Sequence, residues 1–367
     1  GAVSEDPLSS AARACGVGVA GELIEMTPIA PPNRHSNNFD FIRIVAAFAV
    51  LYSHHFSLTG QVEPSFFGLH SIGGAAVLVF FIVSGYLVTS SWYNDPNVFR
   101  FAWRRALRIW PALTVVVVLT AYGLGTIVTS LPASEYITHR ATFDYLNILR
   151  MRIHFVLPGM FENNPYPRGV NGSLWTIPLE VRCYVYLGVA GLFGLLRKRG
   201  IFLILIAIYM VWFMVRSSAD LHGQIHYGRE LSAFFLAGGA LFILHKHWEH
   251  HWKFCLSACV LMAGFLWSFE WRYLASWILL PMIVIWIGTR STPILNQFGR
   301  WGDPSYGIYL IAYPVQQTII LYLWPYWGFW PTMGLASVIT VALAYLSWHG
   351  IEKRALRFKP RSSRATN

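Results

Sequence analysis

The sequence predicts an all-α integral membrane protein with about ten transmembrane helices and with both termini in the cytoplasm. Hydrophobic residues make up 55% of its 367 residues and charged residues only 12%, about half of the charged share that is usual in soluble domains. The chain also contains 16 Trp and 18 Tyr residues, which are enriched where membranes meet water. So few charges cannot cover a water-soluble surface, and the bilayer is the expected solvent.

Apolar runs of nearly twenty residues recur along the chain, and such a run is long enough to cross about 30 Å of hydrocarbon. Helical spans are predicted at 41–58, 72–92, 107–130, 176–195, 201–216, 229–245, 252–270, 271–289, 305–324 and 330–349. The seventh and eighth runs are nearly continuous, so a tight hairpin is expected from Glu270 to Arg272. Ten spans place both termini on one side of the membrane.

The distribution of Lys and Arg predicts which side that is. With the N-terminus inside, 19 of the 28 basic residues fall in cytoplasmic segments and 7 in outer segments. This excess follows the positive-inside rule. The chain is therefore divided into a cytoplasmic tail at 1–38, a transmembrane domain at 39–350 and a basic cytoplasmic tail at 351–367.

The formal net charge of +11 raises the question of nucleic acid as a partner. The basic residues stand between apolar runs, and this placement fits membrane topology and anionic headgroups, not a nucleic-acid surface. Four histidines lie close together at His245, His247, His250 and His251, but their spacing is not that of a tetrahedral metal site. We therefore expect no nucleic acid, no metal and no permanently bound cofactor.

Ionisable side chains inside predicted spans are the first candidates for a functional site, because they are costly in lipid. In the first span, Arg43 and His54 are three helical turns apart, which places them on one face about 16 Å apart along the axis. Asp40 lies one turn before Arg43 and is placed to orient its guanidinium, whereas His55 is turned about 100° away. The structural alternative is an Arg at the inner headgroups and a His at the outer interface.

Four further motifs follow the first span. They are Phe80-Phe81-Ile82-Val83-Ser84-Gly85-Tyr86, Arg104-Arg105-Ala106-Leu107-Arg108-Ile109-Trp110-Pro111, the segment from Asn171-Gly172-Ser173 to Glu180-Val181-Arg182, and Ser305-Tyr306-Gly307 to Ala312-Tyr313-Pro314. Together with Arg43 and His54 they resemble the acyltransferase-3 family of membrane acyltransferases, whose hallmark is an Arg and a His separated by ten residues in the first helix. The resemblance covers residues 38–357 in order.

The resemblance implies an acyl-CoA-dependent O-acyltransferase of a bacterial inner membrane. Acetyl-CoA is the expected cytoplasmic donor, and the expected acceptor is a hydroxyl of a surface polysaccharide or oligosaccharide. The implied catalytic residues are Arg43, His54 and Glu180. The implied acyl-CoA-binding residues are Arg43, Arg104, Arg105, Arg108, Ser84, Gly85 and Tyr86, and the implied acceptor-binding residues are Glu180, Arg182 and Trp175. The family often has a His where Ala312 stands, so any proton-handling role of that residue is missing here or supplied elsewhere.

The residue types suit this chemistry. Acyl transfer to a hydroxyl needs a base, and a His side chain titrates near working pH. The developing oxyanion needs donors, for which Arg182, Tyr86 and the amides beside Gly85 are candidates. Glu180 is expected at about the depth of His54, where it orients the imidazole, binds the sugar or simply pairs with Arg182.

The three arginines after the second span are candidates for the phosphates of coenzyme A. A planar guanidinium forms paired, charge-assisted hydrogen bonds to phosphate oxygens. The alternative is that Arg104, Arg105 and Arg108 only set the topology of the chain.

Two other functions stay open at this point. A secondary transporter also has spans with buried Arg, Glu and proton-handling His residues, although transporters tend to show internal repeats, and no convincing repeat relates the two halves here. A transporter has no reason to bind coenzyme A, so that binding separates the two classes. Within the enzyme class, the alternative is an acyltransferase that modifies a cytosolic small molecule.

Overall fold

The structure is a computed structural model and describes residues 37–217, 219–222 and 226–360. Nearly all of the predicted tail at 1–38 lies outside the described residues. Within them, ten helices have 16 residues or more. These are α1 Phe39–Leu58, α2 Ile72–Asn94, α3 Val98–Val118, α4 Ile177–Leu192, α5 Arg199–Ser217, α6 Tyr227–Ile243, α7 Trp252–Ser268, α8 Arg272–Thr289, α9 Ser305–Trp327 and α10 Phe329–Ser347. Each predicted span coincides with one of them.

Shorter elements join these helices. β1 (Ser65–Phe66) and β2 (His70–Ser71) form an antiparallel hairpin between α1 and α2. The short helices are Leu119–Leu124 (π) and Gly125–Val128, which extend α3, then Ala133–Thr138, Arg140–Tyr145, Leu146–Arg150, Gly172–Thr176, Leu195–Arg197, Ala219–His222, His245–His250, Leu295–Trp301, Trp348–Glu352 (π), Lys353–Ala355 and Leu356–Phe358. The last three extend α10, so the segment after 350 is helical as far as Phe358.

Six helical segments of the described chain are long and apolar enough to cross a membrane. They are α1, α2, α3 with its extension to Val128, α5, α8 and α10 with its extension to Phe358. Of the other four helices, α4, α6 and α7 have 16 or 17 residues, and α9 carries two buried glutamines, Gln316 and Gln317. The protein is a helical integral membrane protein, while the count of ten spans and the sidedness of the termini stay predictions.

Close contact between α2 and α6 forms the centre of the core. A Cβ atom on Gly85 would lie 1.9 Å from the carbonyl oxygen of Phe235, and one on Gly238 would lie 2.1 Å from that of Ile82. Glycines at such positions let two helix backbones touch. α1 packs on α2 and α9, and α9 packs on α10.

The connection from α7 to α8 is the tight hairpin that the sequence predicts. α7 ends at Ser268 and α8 begins at Arg272. Between them, Glu270 has a φ of 65°, in the left-handed region that reverses the chain. The two apolar runs are therefore separate helices that pack on each other.

Candidate active site

A cavity of about 380 Å³ lies at the N-terminal end of α1. We call it the arginine cavity, because its lining includes Arg43, Arg104, Arg105 and Arg108. Its other polar lining residues are Asn37, Asp40, Ser84, Thr176, Glu180, Tyr184, Asp303, Ser305, Tyr306, Tyr309 and Lys359. Five of the residues predicted to bind acyl-CoA, the four arginines and Ser84, thus meet at one cavity.

A buried carboxylate holds two of these arginines. The Oδ2 atom of Asp303 lies 2.7 Å from Arg108 and 3.2 Å from Arg43, and Arg43 also pairs with Asp40. Burial raises the pKa of Asp303, but the charges of Arg43 and Arg108 outweigh burial and hold that pKa well below the usual range. Asp40 is the partner of Arg43 that the sequence predicts, whereas Asp303 comes from the loop before α9 and was not predicted.

Arg104 and Arg105 differ in their partners. Arg104 forms an ion pair with Asp95, whose carboxylate is 3% exposed. Among the described residues, no carboxylate lies within ion-pair distance of Arg105, and its Nε atom has no hydrogen-bond partner. Its guanidinium lies 5.8 Å from the ring centroid of Tyr184. Arg105 is therefore the lining arginine best able to take an anionic ligand.

Glu180 also lines the arginine cavity, so the alternative that it orients the imidazole of His54 is wrong. Its Oε1 atom accepts hydrogen bonds from the Ser84 hydroxyl at 3.2 Å and from the Tyr184 hydroxyl. Glu180 and His54 line different cavities.

The reason for this difference is where α4 begins. The residues before it are buried, with Asn171 and Leu174 0% exposed and Ser173 1% exposed. α4 therefore starts inside the protein and not at its surface, and Glu180 in its first turn is deeper than the apolar run suggests. From the sequence, the depth of a residue is judged by its distance from the end of an apolar run. No sequence pattern marks a loop that folds into the domain.

A second cavity, of about 500 Å³, lies at the C-terminal end of α1. We call it the histidine cavity, because His54 and His70 line it. Its lining also contains two carboxylates and several polar or aromatic side chains: Glu63, Glu230, Ser65, Ser71, Trp175, Tyr227 and Tyr309. The ring centroids of Trp175 and Tyr227 are 5.9 Å apart. His54 and Trp175 thus lie in the same cavity.

The adjacent histidines of α1 have unlike surroundings. His55 is 0% exposed, and its ring nitrogens lie 3.1 Å from Thr332 Oγ1 and 3.3 Å from Gln316 Nε2. His54 faces the cavity, and its Nδ1 atom has no hydrogen-bond partner among the described residues. The ring of His54 packs edge-on against Tyr313, with centroids 5.3 Å apart. His55 therefore joins α1 to α9 and α10, while His54 is available to a ligand.

The two cavities meet at Val77 and Tyr309, which line both. The Tyr309 hydroxyl donates a hydrogen bond to the Ser173 carbonyl at 2.8 Å and lies 2.7 Å from the Thr176 hydroxyl. These contacts fix the tyrosine between the cavities. Val77 and Tyr309 thus stand at the boundary between the space beside the arginines and the space beside the histidines.

Comparison with known proteins identifies the family. A family model described as an acyltransferase domain matches residues 36–349. The chain belongs to the acyltransferase-3 family. It is 33% identical over 344 residues to the O-acetyl transferase of Shigella phage Sf6, which covers 89% of this chain and 98% of the phage protein. It is 27% identical over 372 residues to nodulation protein 10 of Rhizobium leguminosarum bv. viciae, covering 90% and 96%. No solved structure matches it.

Three residues that the acyltransferase-3 resemblance implicates lie outside both cavities. Gly85 faces the backbone of Phe235, and the Tyr86 hydroxyl lies 3.2 Å from His245 Nδ1. Arg182 is exposed, because two residues along a helix from Glu180 turn the side chain by about 200°. Gly85 and Tyr86 therefore serve packing, and the structure gives Arg182 no place at the candidate site.

The lining residues of the histidine cavity that were not predicted include Glu63, His70, Tyr227 and Glu230. Glu230 could have been found from the sequence, because it is an ionisable residue inside the predicted span at 229–245 and such residues are functional candidates. His70 and Glu63 precede the second span in a short connection, and nothing in their spacing places them beside His54.

Proposed function

We propose that this acyltransferase moves an acetyl group from acetyl-CoA in the arginine cavity to a carbohydrate hydroxyl in the histidine cavity. One observation carries the proposal: two cavities with unlike linings meet at Val77 and Tyr309. The phosphates of coenzyme A match a cavity lined by arginines, and a sugar matches a cavity with carboxylates, imidazoles and aromatic rings. The reacting thioester would pass between the two side chains that separate them.

On the donor side, Arg105 is the proposed phosphate ligand, because among the four lining arginines its guanidinium is the one without a carboxylate partner in the described chain. Arg43 and Arg108 are held by Asp303 and add a fixed positive field. Ser84 and Glu180 are proposed to shape the floor of the donor site through their shared contacts with Tyr184. With the N-terminus inside, this cavity opens toward the cytoplasm, where acyl-CoA is found.

On the acceptor side, the rings of Trp175 and Tyr227 offer an apolar surface next to hydrogen-bonding groups. A sugar ring needs this combination, since its C–H faces are apolar and its hydroxyls are polar. The name of the phage relative, O-acetyl transferase, supports an acetyl group and an oxygen acceptor. The proposed acceptor is a surface polysaccharide or oligosaccharide at a bacterial inner membrane.

The proposed reaction forms a bond between the acceptor oxygen and the carbonyl carbon of the thioester. The bond between that carbon and sulfur breaks, and the sulfur leaves with the electron pair. Overall, one proton moves from the hydroxyl to the sulfur, giving an ester and free coenzyme A. His54 is proposed to serve this proton transfer, because its imidazole lines the cavity and its Nδ1 atom has no hydrogen-bond partner among the described residues.

Deletion of the gene tests the function. Surface carbohydrates from cells with and without the gene are compared by mass spectrometry and NMR, and we expect one O-acetyl signal to disappear. The intact gene should restore it, whereas the His54→Ala gene should not. Purified protein should also bind acetyl-CoA. Unchanged carbohydrates together with no acetyl-CoA binding would instead favour a transporter.

Labelling of single cysteines tests the proposed sidedness. Substitutions at Asn163, which is exposed in the loop between α3 and α4, and at position 360 are made in a background without other cysteines, and intact cells are treated with an impermeant thiol reagent. We expect position 163 to react from outside and position 360 only after the cells are opened. Reaction of both from outside would place the arginine cavity on the wrong side for cytoplasmic acyl-CoA.

A further inference from the structure

The histidine cavity contains a second imidazole, which none of the acyltransferase-3 motifs includes. The Nε2 atom of His70 lies 3.1 Å from Oε1 of Glu230, and the two side chains are 6% and 1% exposed. The Tyr273 hydroxyl donates a hydrogen bond to the same carboxylate oxygen at 2.7 Å. His70 and Glu230 line the cavity, whereas Tyr273 is not among its lining residues. The three side chains form a chain that ends at the cavity.

Such a chain is an unfavourable way to gain stability. A buried ion pair is weak evidence for a stabilising role, because desolvation offsets the attraction between the charges. Ionisable groups inside a membrane domain are instead functional candidates. Glu230 lies in the first turn of α6, where the helix dipole favours a negative charge. The carboxylate is therefore suited to face an imidazole that gains a proton.

The backbone around His70 keeps its side chain in place. His70 pairs with Phe66 across the hairpin of β1 and β2. The next residue, Ser71, caps α2 by accepting a hydrogen bond from the Gly74 amide at 3.1 Å. A strand pair on one side and a helix cap on the other leave the position of His70 little freedom.

The orientation of the ring decides which nitrogen can react. Nε2 of His70 lies within ion-pair distance of Glu230 without forming an aligned hydrogen bond, and Nδ1 forms no side-chain hydrogen bond within the described chain. A carboxylate beside one ring nitrogen favours the proton there and leaves the lone pair of the other nitrogen free, which is how general bases are oriented in enzymes. Among the described residues, no carboxylate lies within ion-pair distance of His54. We propose that His70, oriented by Glu230, is the base that takes the proton of the acceptor hydroxyl.

This inference rests on the proposed function and divides its proton transfer between two imidazoles. The hydroxyl proton passes to Nδ1 of His70 as the acceptor oxygen bonds to the carbonyl carbon. The carbon–sulfur bond breaks, and the sulfur leaves with the electron pair. The proton on His70 passes through water in the histidine cavity to the neutral imidazole of His54 and from there to the sulfur, so both imidazoles end as they began and no further reactant is needed.

Two substitutions of His70 test the base. Gene-deleted cells carry either the parent gene or a variant, and their membranes are assayed for transfer from labelled acetyl-CoA to the endogenous surface carbohydrate. We expect His70→Ala and His70→Gln each to lower the transfer rate by about 100-fold, the scale of general base catalysis. Binding of acetyl-CoA to each purified variant should stay within twofold of the parent, because His70 is not part of the arginine cavity.

The glutamine variant separates a base from a side chain that only makes a structural contact with Glu230. Its amide can still donate to Glu230 but cannot take up a proton, so full activity of His70→Gln would overturn the proposal. Added imidazole should restore part of the rate of His70→Ala, since the cavity of about 500 Å³ can admit it. Absence of any rescue, with normal acetyl-CoA binding and a normal elution profile, would also count against the base.

The positioning residues should give a graded series. Glu230→Gln removes the charge that faces His70, and Tyr273→Phe removes only the hydroxyl behind it. We expect about a 30-fold loss for the first and about a threefold loss for the second, both in the turnover number and not in the KM for acetyl-CoA. The matched controls are His139→Ala and Glu162→Gln, which change exposed side chains of the connection between α3 and α4 and should keep the parental rate.

The outcomes distinguish the inference from the function on which it rests. If the parent gene restores no O-acetyl signal, the proposed function fails and the inference fails with it. If the parent is active and both His70 variants keep more than a third of its rate, only the inference is overturned. Loss of acetyl-CoA binding in both His70 variants would assign His70 a structural role.

Discussion

The two cavities of this acyltransferase treat charge in opposite ways. In the arginine cavity, carboxylates that are themselves buried hold three of the four arginines, and Asp303 alone joins Arg43 and Arg108. In the histidine cavity, the ionisable groups are two imidazoles and two carboxylates, with an aromatic pair beside them. The first cavity is therefore a fixed positive site in which one guanidinium has no carboxylate partner among the described residues, and the second contains the groups that we propose to exchange protons.

This difference indicates which substitutions should affect which step. Changes in the arginine cavity should alter the stability of the protein or the affinity for the donor, because its charges are fixed. Changes in the histidine cavity should alter the transfer rate, because in the proposed reaction the protonation states of its groups change. A substitution in one cavity that changes both donor affinity and transfer rate would contradict this division of roles.

The largest expected effect follows substitution of His54. We expect His54→Ala to lower acyl transfer about 1,000-fold, within the range for loss of an acid–base group, while acetyl-CoA binding stays near the parental value. Transfer from labelled acetyl-CoA by membranes, with expression checked, measures the effect. His55→Gln is the control, since an amide can keep contacts with Thr332 and Gln316, and it should keep most activity. An active His54→Ala protein would remove the histidine cavity from the reaction.

Asp303→Asn should have the next largest effect, on stability. Removing one partner of a buried ion pair costs about 3–5 kcal/mol, and here two arginines lose their shared carboxylate. Thermal unfolding of the detergent-purified protein measures the loss, and Asp40→Asn, which removes one partner of Arg43 only, should cost less. Equal losses in the two variants would mean that Asp303 is not the anchor of the cavity.

The same carboxylate gives a pH dependence with a definite sign. The pKa of Asp303 is lower in the folded protein than in the unfolded chain, where it is about 3.9. Its stabilisation is therefore complete above that value and is lost only as the pH falls from there through the lower folded pKa. In Asp303→Asn this acid-dependent part of the unfolding free energy should be missing.

The sequence predicts the ten long helices and the hairpin at Glu270, because apolar run length is a local property of the chain. It also predicts that His54 and not His55 faces the site, because helical periodicity alone separates adjacent residues. It does not predict Asp303 as the partner of Arg43, because the two are far apart in the chain and no local pattern joins them. The position of Glu180 was not predicted either, because the loop before α4 is buried through contacts with α9, which is far away in the chain.

A smaller effect is expected for Arg105. We expect Arg105→Gln to weaken acetyl-CoA binding about 30-fold, the scale of losing a charge-assisted contact of about 2 kcal/mol, with little change in the turnover number. Titration of purified protein with acetyl-CoA measures the affinity. Arg104→Gln is the matched control, because Arg104 already pairs with Asp95, and its affinity should fall less. A larger loss of affinity in Arg104→Gln would make Arg104, and not Arg105, the phosphate ligand. Arg105 would then serve only to set the topology of the chain.

The smallest expected effect concerns Tyr309, which lines both cavities. Tyr309→Phe keeps the ring between the cavities and removes only the hydroxyl that contacts Ser173 and Thr176. Loss of a neutral hydrogen bond is worth about 1 kcal/mol, so we expect the transfer rate to fall by less than about fivefold and acetyl-CoA binding to stay unchanged. Tyr313→Phe, whose ring packs on His54, provides a second tyrosine for comparison. If Tyr309→Phe lowers transfer 100-fold while the protein stays folded, the hydroxyl takes part in the reaction. The reacting carbonyl would then lie at the boundary itself, and the two cavities would be two ends of one active site.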